Sequence, residues 1–212
     1  MSPKQYSQTR LSPSQVAVLG LMRPGTKVLE MGCARGYMTG VLKNAAGCYV
    51  TAVEIDPQMA DEARAHADRV IVGDISEPAL WQELGSGYDY VVYADVLEHL
   101  ADPWQALRRT HELLGTNGCV IASIPNIAQY RIRLKLLLGI FEYQPYGIMD
   151  DTHLRFFTEK TARELFTRTG YDVVDMRCVN YSLTERPLMR VAPGLFAVQF
   201  VIKARPAERI HR

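Results

Sequence analysis

The chain has 212 residues, 48% hydrophobic and 22% charged, a size and balance that suit one globular domain with a full-sized core and argue against two. Lys and Arg number 24 against 23 Asp and Glu, and the formal charge of +1 gives no electrostatic case for a nucleic-acid partner, so a small substrate is expected. Cys33, Cys48, Cys119 and Cys178 are widely spaced without C-x-x-C pairing, which reads as reduced apolar residues and suggests neither a zinc site nor a disulfide frame. Met1 to Arg10 lacks the apolar run of a signal peptide and no stretch is apolar enough to span a bilayer, so a cytoplasmic location is expected.

Ser12-Pro13 supplies a cap followed by a first-turn proline, and Val16, Leu19 and Met22 recur on one face up to Arg23-Pro24-Gly25, predicting a leading helix. Lys27 to Met31 reads as a short buried strand that runs into a glycine-punctuated turn and a helix from about Tyr37 to Ala45. Strands follow at Tyr49 to Val53, ending at Glu54, and at Val70-Ile71-Val72, ending at Gly73-Asp74. Between them a helix opens at Asp56-Pro57 and carries Met59, Ala60, Ala63 and Ala67. Tyr88 to Ala94 is a near-continuous apolar run of the kind that parallel strands covered on both faces show. Asp102-Pro103 opens a helix with Trp104, Leu107, His111 and Leu114 at helical spacing, closed by Gly115, and Cys119 to Ser123 makes a fifth strand. This alternation predicts an α/β fold: a doubly wound, mostly parallel, Rossmann-like sheet with helices on both faces.

After Asn126 the rhythm changes. Ile127 to Gly139 reads as an amphipathic helix bearing Arg131, Arg133 and Lys135, followed by an aromatic loop from Phe141 to Asp151. Its leucines are expected to pack as a lid over an acceptor, because three cations are few for firm attraction to a lipid surface. Thr158 caps a helix ending at Gly170, Tyr171 to Val179 and Leu195 to Lys203 read as final strands, and Ala204 to Arg212 as a frayed tail.

The turn after the first strand, Gly32-Cys33-Ala34-Arg35-Gly36, leaves little side-chain bulk above the backbone, so a ligand can lie against main-chain amides. Glu30 lies beside it, where a pyrophosphate binder would avoid negative charge, and Tyr37 occupies the third glycine slot of G-x-G-x-x-G. A nicotinamide oxidoreductase would want the reverse at both positions. In an open α/β sheet the residues just past the strands' carboxyl ends meet the ligand, and here these are polar. Glu54 can accept both hydroxyls of a ribose, whereas Asp56, before Pro57, is better explained as a cap. Asp74 can accept an adenine amino group or hold a local turn with Ser76, and Ile75 would wall the same ring. His66, His99, His111, His153 and His211 show no ligand spacing, so no metal is expected.

Val28-Leu29-Glu30-Met31-Gly32-Cys33-Ala34-Arg35-Gly36 resembles the first motif, E/D-x-G-x-G-x-G, of class I S-adenosylmethionine-dependent methyltransferases, with Ala34 in place of the middle glycine. The resemblance implies a seven-stranded sheet with an antiparallel last strand. It also implies that Gly32, Cys33, Ala34 and Gly36 hold the methionyl part of S-adenosylmethionine, with Glu30 beneath, ordering the loop or reaching the amino group through water. Glu54 and Ile55 then meet the ribose, Asp74 and Ile75 the adenine, and Ala94 and Asp95 the cofactor beside its reactive methyl. Glu98 and His99 either face the acceptor or begin the next helix, and a lone loop histidine is more often structural than a base.

Ser123-Ile124-Pro125-Asn126 and Asp150-Asp151-Thr152-His153-Leu154-Arg155-Phe156-Phe157 resemble a bacterial subgroup of small-molecule methyltransferases that often accompany glycosyltransferases. His153 is the leading candidate for a base or acceptor-orienting group, with His99 second, unless His153 and Arg155 simply pin the loop. Asn126, Tyr130, Tyr146 and Arg155 are the candidate acceptor contacts. One domain is expected over 1–212: a helix at 1–25, a cofactor core at 27–124, a lid and acceptor segment at 126–157, a C-terminal helix and strands at 158–205 and a tail at 206–212. The implied reaction moves a methyl group to an oxygen or nitrogen of a small molecule such as a sugar or secondary metabolite, leaving S-adenosylhomocysteine. A non-catalytic cofactor-binding module stays open at this point, as does a homodimer.

Overall fold

The computed structural model describes residues 11–182, 184 and 186–208, so expectations about Met1 to Arg10, His211 and the last residues of the tail lie outside it. In chain order the elements are α1 (Pro13–Leu19), β1 (Lys27–Met31), α2 (Tyr37–Asn44), β2 (Tyr49–Glu54), α3 (Pro57–Ala63), β3 (Arg69–Val72), α4 (Pro78–Glu83), β4 (Tyr88–Ala94), α5 (Pro103–Thr110) and β5 (Leu114–Pro125). They continue with α6 (Tyr130–Leu137), α7 (Glu159–Thr167), β6 (Tyr171–Val179), α8 (Arg186–Met189), α9 (Pro193–Phe196) and β7 (Gln199–Pro206). The strands form one seven-stranded sheet in the order β3-β2-β1-β4-β5-β7-β6. Pairing is parallel from β3 to β5, and β7 runs antiparallel to both β5 and β6. The expected doubly wound sheet with an antiparallel last strand is therefore the fold.

Neighbouring residues along the central strands bury into opposite faces. Leu29, Val53, Val91 and Tyr93 join one apolar cluster with Phe166 and Phe200, while Val28, Val50, Tyr90 and Val92 join another with Leu42, Ile121 and Val201. A strand covered on both sides has no polar alternation to keep, which is why Tyr88 to Ala94, Asp89 apart, reads as an apolar run. Each fully buried side chain of this kind contributes about 1.5–3 kcal/mol. The helix starts follow their caps. Ser12 makes a capping box with Gln15, Asp56 Oδ1 accepts from the amides of Gln58 (2.8 Å) and Met59 (3.2 Å), and Asp102 accepts from that of Gln105.

Several boundaries differ from the sequence reading. The sequence reading has no counterpart of the short helix α4, which buries Leu80 alone and packs Trp81 partly beside it, too little for a periodic signal. α5 ends at Thr110, and β5 begins at Leu114, paired with Tyr88, rather than at Cys119. β7 continues through Pro206, because Ala204 is fully buried and pairs with Val120 on one side and Val173 on the other, so the tail cannot begin there.

The largest departure concerns the segment between β5 and α7. α6 is shorter than Ile127 to Gly139 and none of its residues is buried; Leu134, Leu136, Leu137 and Leu138 are 45–82% exposed. The expected apolar lid face does not cover an acceptor site, since three successive leucines wind around the helix instead of lining one side. The two ends of this segment meet at a bridge between Asn126 and Phe157, where the Ile127 amide donates to the Phe157 carbonyl at 2.9 Å.

Candidate active site

The turn leaving β1 folds back on β2: the amides of Gly32 and Cys33 both donate to the Val53 carbonyl, at 2.8 and 3.0 Å. Gly32 has φ +74°, and a Cβ there would stand 2.7 Å from the Val96 side chain. Ala34 takes φ +49° in the same turn, the place where the first motif normally has glycine. Glu54 closes the arrangement from β2, its Oε2 accepting from the Ala34 amide at 2.8 Å and its Oε1 from the Asp56 amide at 3.0 Å. Sequence reasoning gave this carboxylate to a ligand; the structure adds that it fixes the turn.

Glu30 points from β1 into the space beneath the turn. It is 2% exposed, and its Oε2 accepts a 2.6 Å hydrogen bond from the Thr39 hydroxyl. Burial pushes its carboxyl up to about 7 against the opposing pull of Thr39, with the Glu54 charge adding to the rise. Asp74 spends Oδ1 on both the amide and the hydroxyl of Ser76, each at 2.7 Å, and still lines the cavity, so its turn role is present whether or not it meets a base.

Past β4, Asp95 has φ +59° and is held in that conformation from several sides. Its amide donates to Ser123 Oγ at 2.9 Å, Ser123 Oγ donates back to Oδ1 at 2.5 Å, and Gln199 Nε2 donates to the same oxygen at 2.7 Å. The Tyr181 hydroxyl in turn donates to Gln199 Oε1. Burial raises the Asp95 carboxyl, and these donors and the nearby His99 oppose the rise. Gln199 and Tyr181 went unnoticed in the sequence; a lone polar residue opening an apolar strand, as Gln199 does, was the available signal.

At the other end of the space sits Glu98, in the 3-10 turn Leu97–His99. Glu98 is 1% exposed, and neither carboxylate oxygen accepts a hydrogen bond among the described residues. Its backbone carbonyl anchors the segment after α6 by accepting from the amides of Leu154 (2.9 Å) and Arg155 (3.0 Å). This brings His153 Nε2 to 4.0 Å from Glu98 Oε1, and the rings of His99 and His153 meet edge to face with centroids 4.7 Å apart. Burial, then the charges of Asp95 and Asp150, hold the Glu98 carboxyl well above the usual range. The spacing of the histidines along the chain gives no sign of this, yet one ligand atom from each of Glu98, His99 and His153 lies within 4.8 Å of the others. His111 is structural, with Nε2 2.8 Å from the Thr169 carbonyl.

A cavity of about 840 Å³ joins the two ends. Of the expected site residues, Glu30, Gly32, Cys33, Ala34, Glu54, Ile55, Asp74, Ile75, Ala94, Asp95, His99, Tyr146 and His153 line it. Four expected contacts lie elsewhere. Gly36 turns away at φ +80° to start α2, where a Cβ would stand 2.9 Å from Ala63 Cα. Asn126 is fully buried and donates its amide to the carbonyls of Gly194 (3.0 Å) and Ala197 (2.8 Å). Tyr130 packs on Phe196, with its hydroxyl accepting from Arg131. Arg155 caps the Ala101 carbonyl through Nε (3.0 Å) and lies over Trp104, the loop-pinning role held open for it.

A sheet of this order, with a glycine turn leaving β1 and acids near the ends of β1 and β2, defines the class I methyltransferase architecture. A family profile described as a methyltransferase domain matches residues 6–176, and the chain belongs to that family: it is an S-adenosylmethionine-dependent methyltransferase. The ubiquinone biosynthesis O-methyltransferase of Ruegeria pomeroyi is 28% identical over 167 residues, 75% of this chain and 66% of that one. Its counterpart in Cereibacter sphaeroides is 25% identical over 176 residues, 77% and 70% of the two chains. The chain thus spans about two thirds of the length of these relatives. Among solved structures, 1,6-didemethyltoxoflavin-N1-methyltransferase of Burkholderia thailandensis, holding S-adenosylhomocysteine, superposes with TM-score 0.62 at 22% identity, covering 92% of this chain and 77% of that one. Magnesium protoporphyrin IX methyltransferase of Synechocystis, also with S-adenosylhomocysteine, gives 0.65 at 17%, covering 94% and 90%. Among the described residues no helix is long and apolar enough to cross a membrane.

Proposed function

We propose that this chain methylates a hydroxyl oxygen of a small molecule. The observation that carries the reading is the single cavity with chemically different ends: a bare-backbone turn over a buried carboxyl at one, a carboxylate with two imidazoles at the other. The first end suits S-adenosylmethionine. Glu30 is buried with its carboxyl lifted by desolvation, and a ligand ammonium would restore the ionised form. Gly32, Cys33 and Ala34 would take the methionyl part, Glu54 and Ile55 the ribose, Asp74 and Ile75 the adenine, and Ala94 and Asp95 the side facing the acceptor. When bound, the cofactor supplies a sulfonium methyl already activated for direct in-line displacement.

The chain's own task is then placement and proton management. The acceptor oxygen is received at Glu98, His99 and His153, where the imidazole lone pairs favour loss of its proton. Tyr146, 78% exposed at the rim, meets the part of the acceptor that projects outward. Oxygen is preferred to nitrogen because a neutral amine would need no such cluster, and because the relatives in Ruegeria and Cereibacter are named O-methyltransferases. The test is transfer of label from S-adenosylmethionine to a panel of hydroxylated and aminated aromatics and sugars. Labelled methyl ethers are expected; label found only on nitrogen would refute the assignment to oxygen, and cofactor binding without transfer across the panel would favour a non-catalytic module.

A further inference from the structure

We propose that Glu98, His99 and His153 bind a divalent first-row transition ion, of the zinc, cobalt or manganese type, with a position left open for the acceptor oxygen. The proposal rests on the reading that the acceptor enters at this end of the cavity. Its first support is Glu98, a carboxylate 1% exposed whose two oxygens accept no hydrogen bond among the described residues. Buried carboxylates are ordinarily paired, hydrogen-bonded or bound to a metal, and this one faces two imidazoles instead.

The second support is how the imidazoles are held. His153 Nδ1 lies 3.1 Å from the Ile148 carbonyl, and His99 Nδ1 lies 3.2 Å from the Thr152 carbonyl and 3.1 Å from the Thr152 hydroxyl, whose own hydrogen goes to Asp150 Oδ1. With acceptors facing both Nδ1 atoms, each ring keeps its proton there and leaves Nε2 as the lone-pair donor. Ligating histidines are typically held in this way, with the second nitrogen fixed by a backbone carbonyl. The third is that the histidine distant in sequence is tied to the others. The Leu154 and Arg155 amides both donate to the Glu98 carbonyl, so the loop carrying His153 is fastened to the residue that supplies the carboxylate.

The candidate ligand atoms lie within 4.8 Å of one another, while ligands around a tetrahedral ion with bonds of about 2.1 Å sit about 3.4 Å apart. Side-chain rotations that draw the three groups in by about an ångström complete the site. Two imidazoles and one carboxylate favour a borderline transition ion over magnesium or calcium, which prefer oxygen throughout. Three protein ligands leave a coordination position open, as in catalytic rather than structural sites. An acceptor hydroxyl bound there loses its proton to bulk water and stays on the ion as an oxyanion, ready to attack the methyl group. The lone pair of His153 then goes to the ion rather than to the acceptor's proton.

The test uses tag-free protein freed of metal with a chelator and titrated with Co²⁺, followed by its visible absorption, with Zn²⁺ and Mn²⁺ followed by calorimetry. One ion per chain is expected, with an imidazole-ligated cobalt spectrum. Glu98→Gln and His153→Ala should each weaken binding by at least about tenfold, and His99→Asn serves if either variant fails to fold. Absence of stoichiometric binding, or binding that none of the variants weakens, overturns the proposal. Methyl transfer that persists undiminished in chelator overturns the ion while leaving the methyltransferase reading intact, so the two can fail separately.

Discussion

Glu30 offers a test of the donor end that needs no substrate. Its carboxyl is raised from the ordinary 4.5 to about 7, first by burial and secondarily by Glu54, so in the absence of a bound cation the fold disfavours its ionisation. Between those two values the folded chain binds more protons at this site than the unfolded chain. Stability from this group is therefore intact below about 4.5, falls as pH rises, and levels off above about 7. Ionising it in the folded state costs about 3 kcal/mol. In Glu30→Gln the amide oxygen can still accept from the Thr39 hydroxyl and has nothing to ionise. Urea unfolding of wild type and variant across this range should show near-equal stability at the acid end. The variant should gain about 3 kcal/mol by pH 7.5, since Asp95 and Glu98 titrate in both chains and cancel in the difference. A difference independent of pH would refute the idea that Glu30 waits for a cation.

Three further substitutions separate ligand contacts from scaffold. Glu54→Ala should weaken S-adenosylmethionine binding by about 1.5–3 kcal/mol in calorimetry, because a charged acceptor and the tether on the Ala34 amide both disappear; unchanged affinity would remove Glu54 from the site. Gly36→Ala should cost about 2 kcal/mol of stability in urea, from φ +80° and a Cβ 2.9 Å from Ala63 Cα, while the folded protein binds cofactor nearly as before. Asn126→Ala should destabilise by about 1–3 kcal/mol through the abandoned carbonyls of Gly194 and Ala197, and a loss of acceptor affinity at full stability would return Asn126 to the acceptor site.

Much of the sheet was legible because its signals are local: a cap at Asp56 before Pro57, an apolar run at Tyr88 to Ala94, an acid closing β2. The donor half of the site was legible for the same reason, since turn, acid and strand ends follow one another in the chain. Gly36 misled because a motif records which residues recur, not whether each faces ligand or helix. Asn126 and Arg155 belong to recognisable stretches, yet their polar atoms hold backbone carbonyls. The meeting of Glu98 with His153 was invisible, because it depends on two amides after α6 finding one carbonyl before α5. The leucines of α6 suggest a packed face by their number, but their angular spread around the helix gives no such face.

The bridge between Asn126 and Phe157 has a consequence for how such enzymes diversify. The strand and helix that flank the segment are joined by their own backbone contacts, and what is threaded between them is fastened chiefly at Glu98, His99 and Ala101, on the acceptor side. Swapping that stretch for one from a cousin with different tastes in nucleophile should leave the donor machinery untouched, making this junction a natural graft point for retargeting the catalyst.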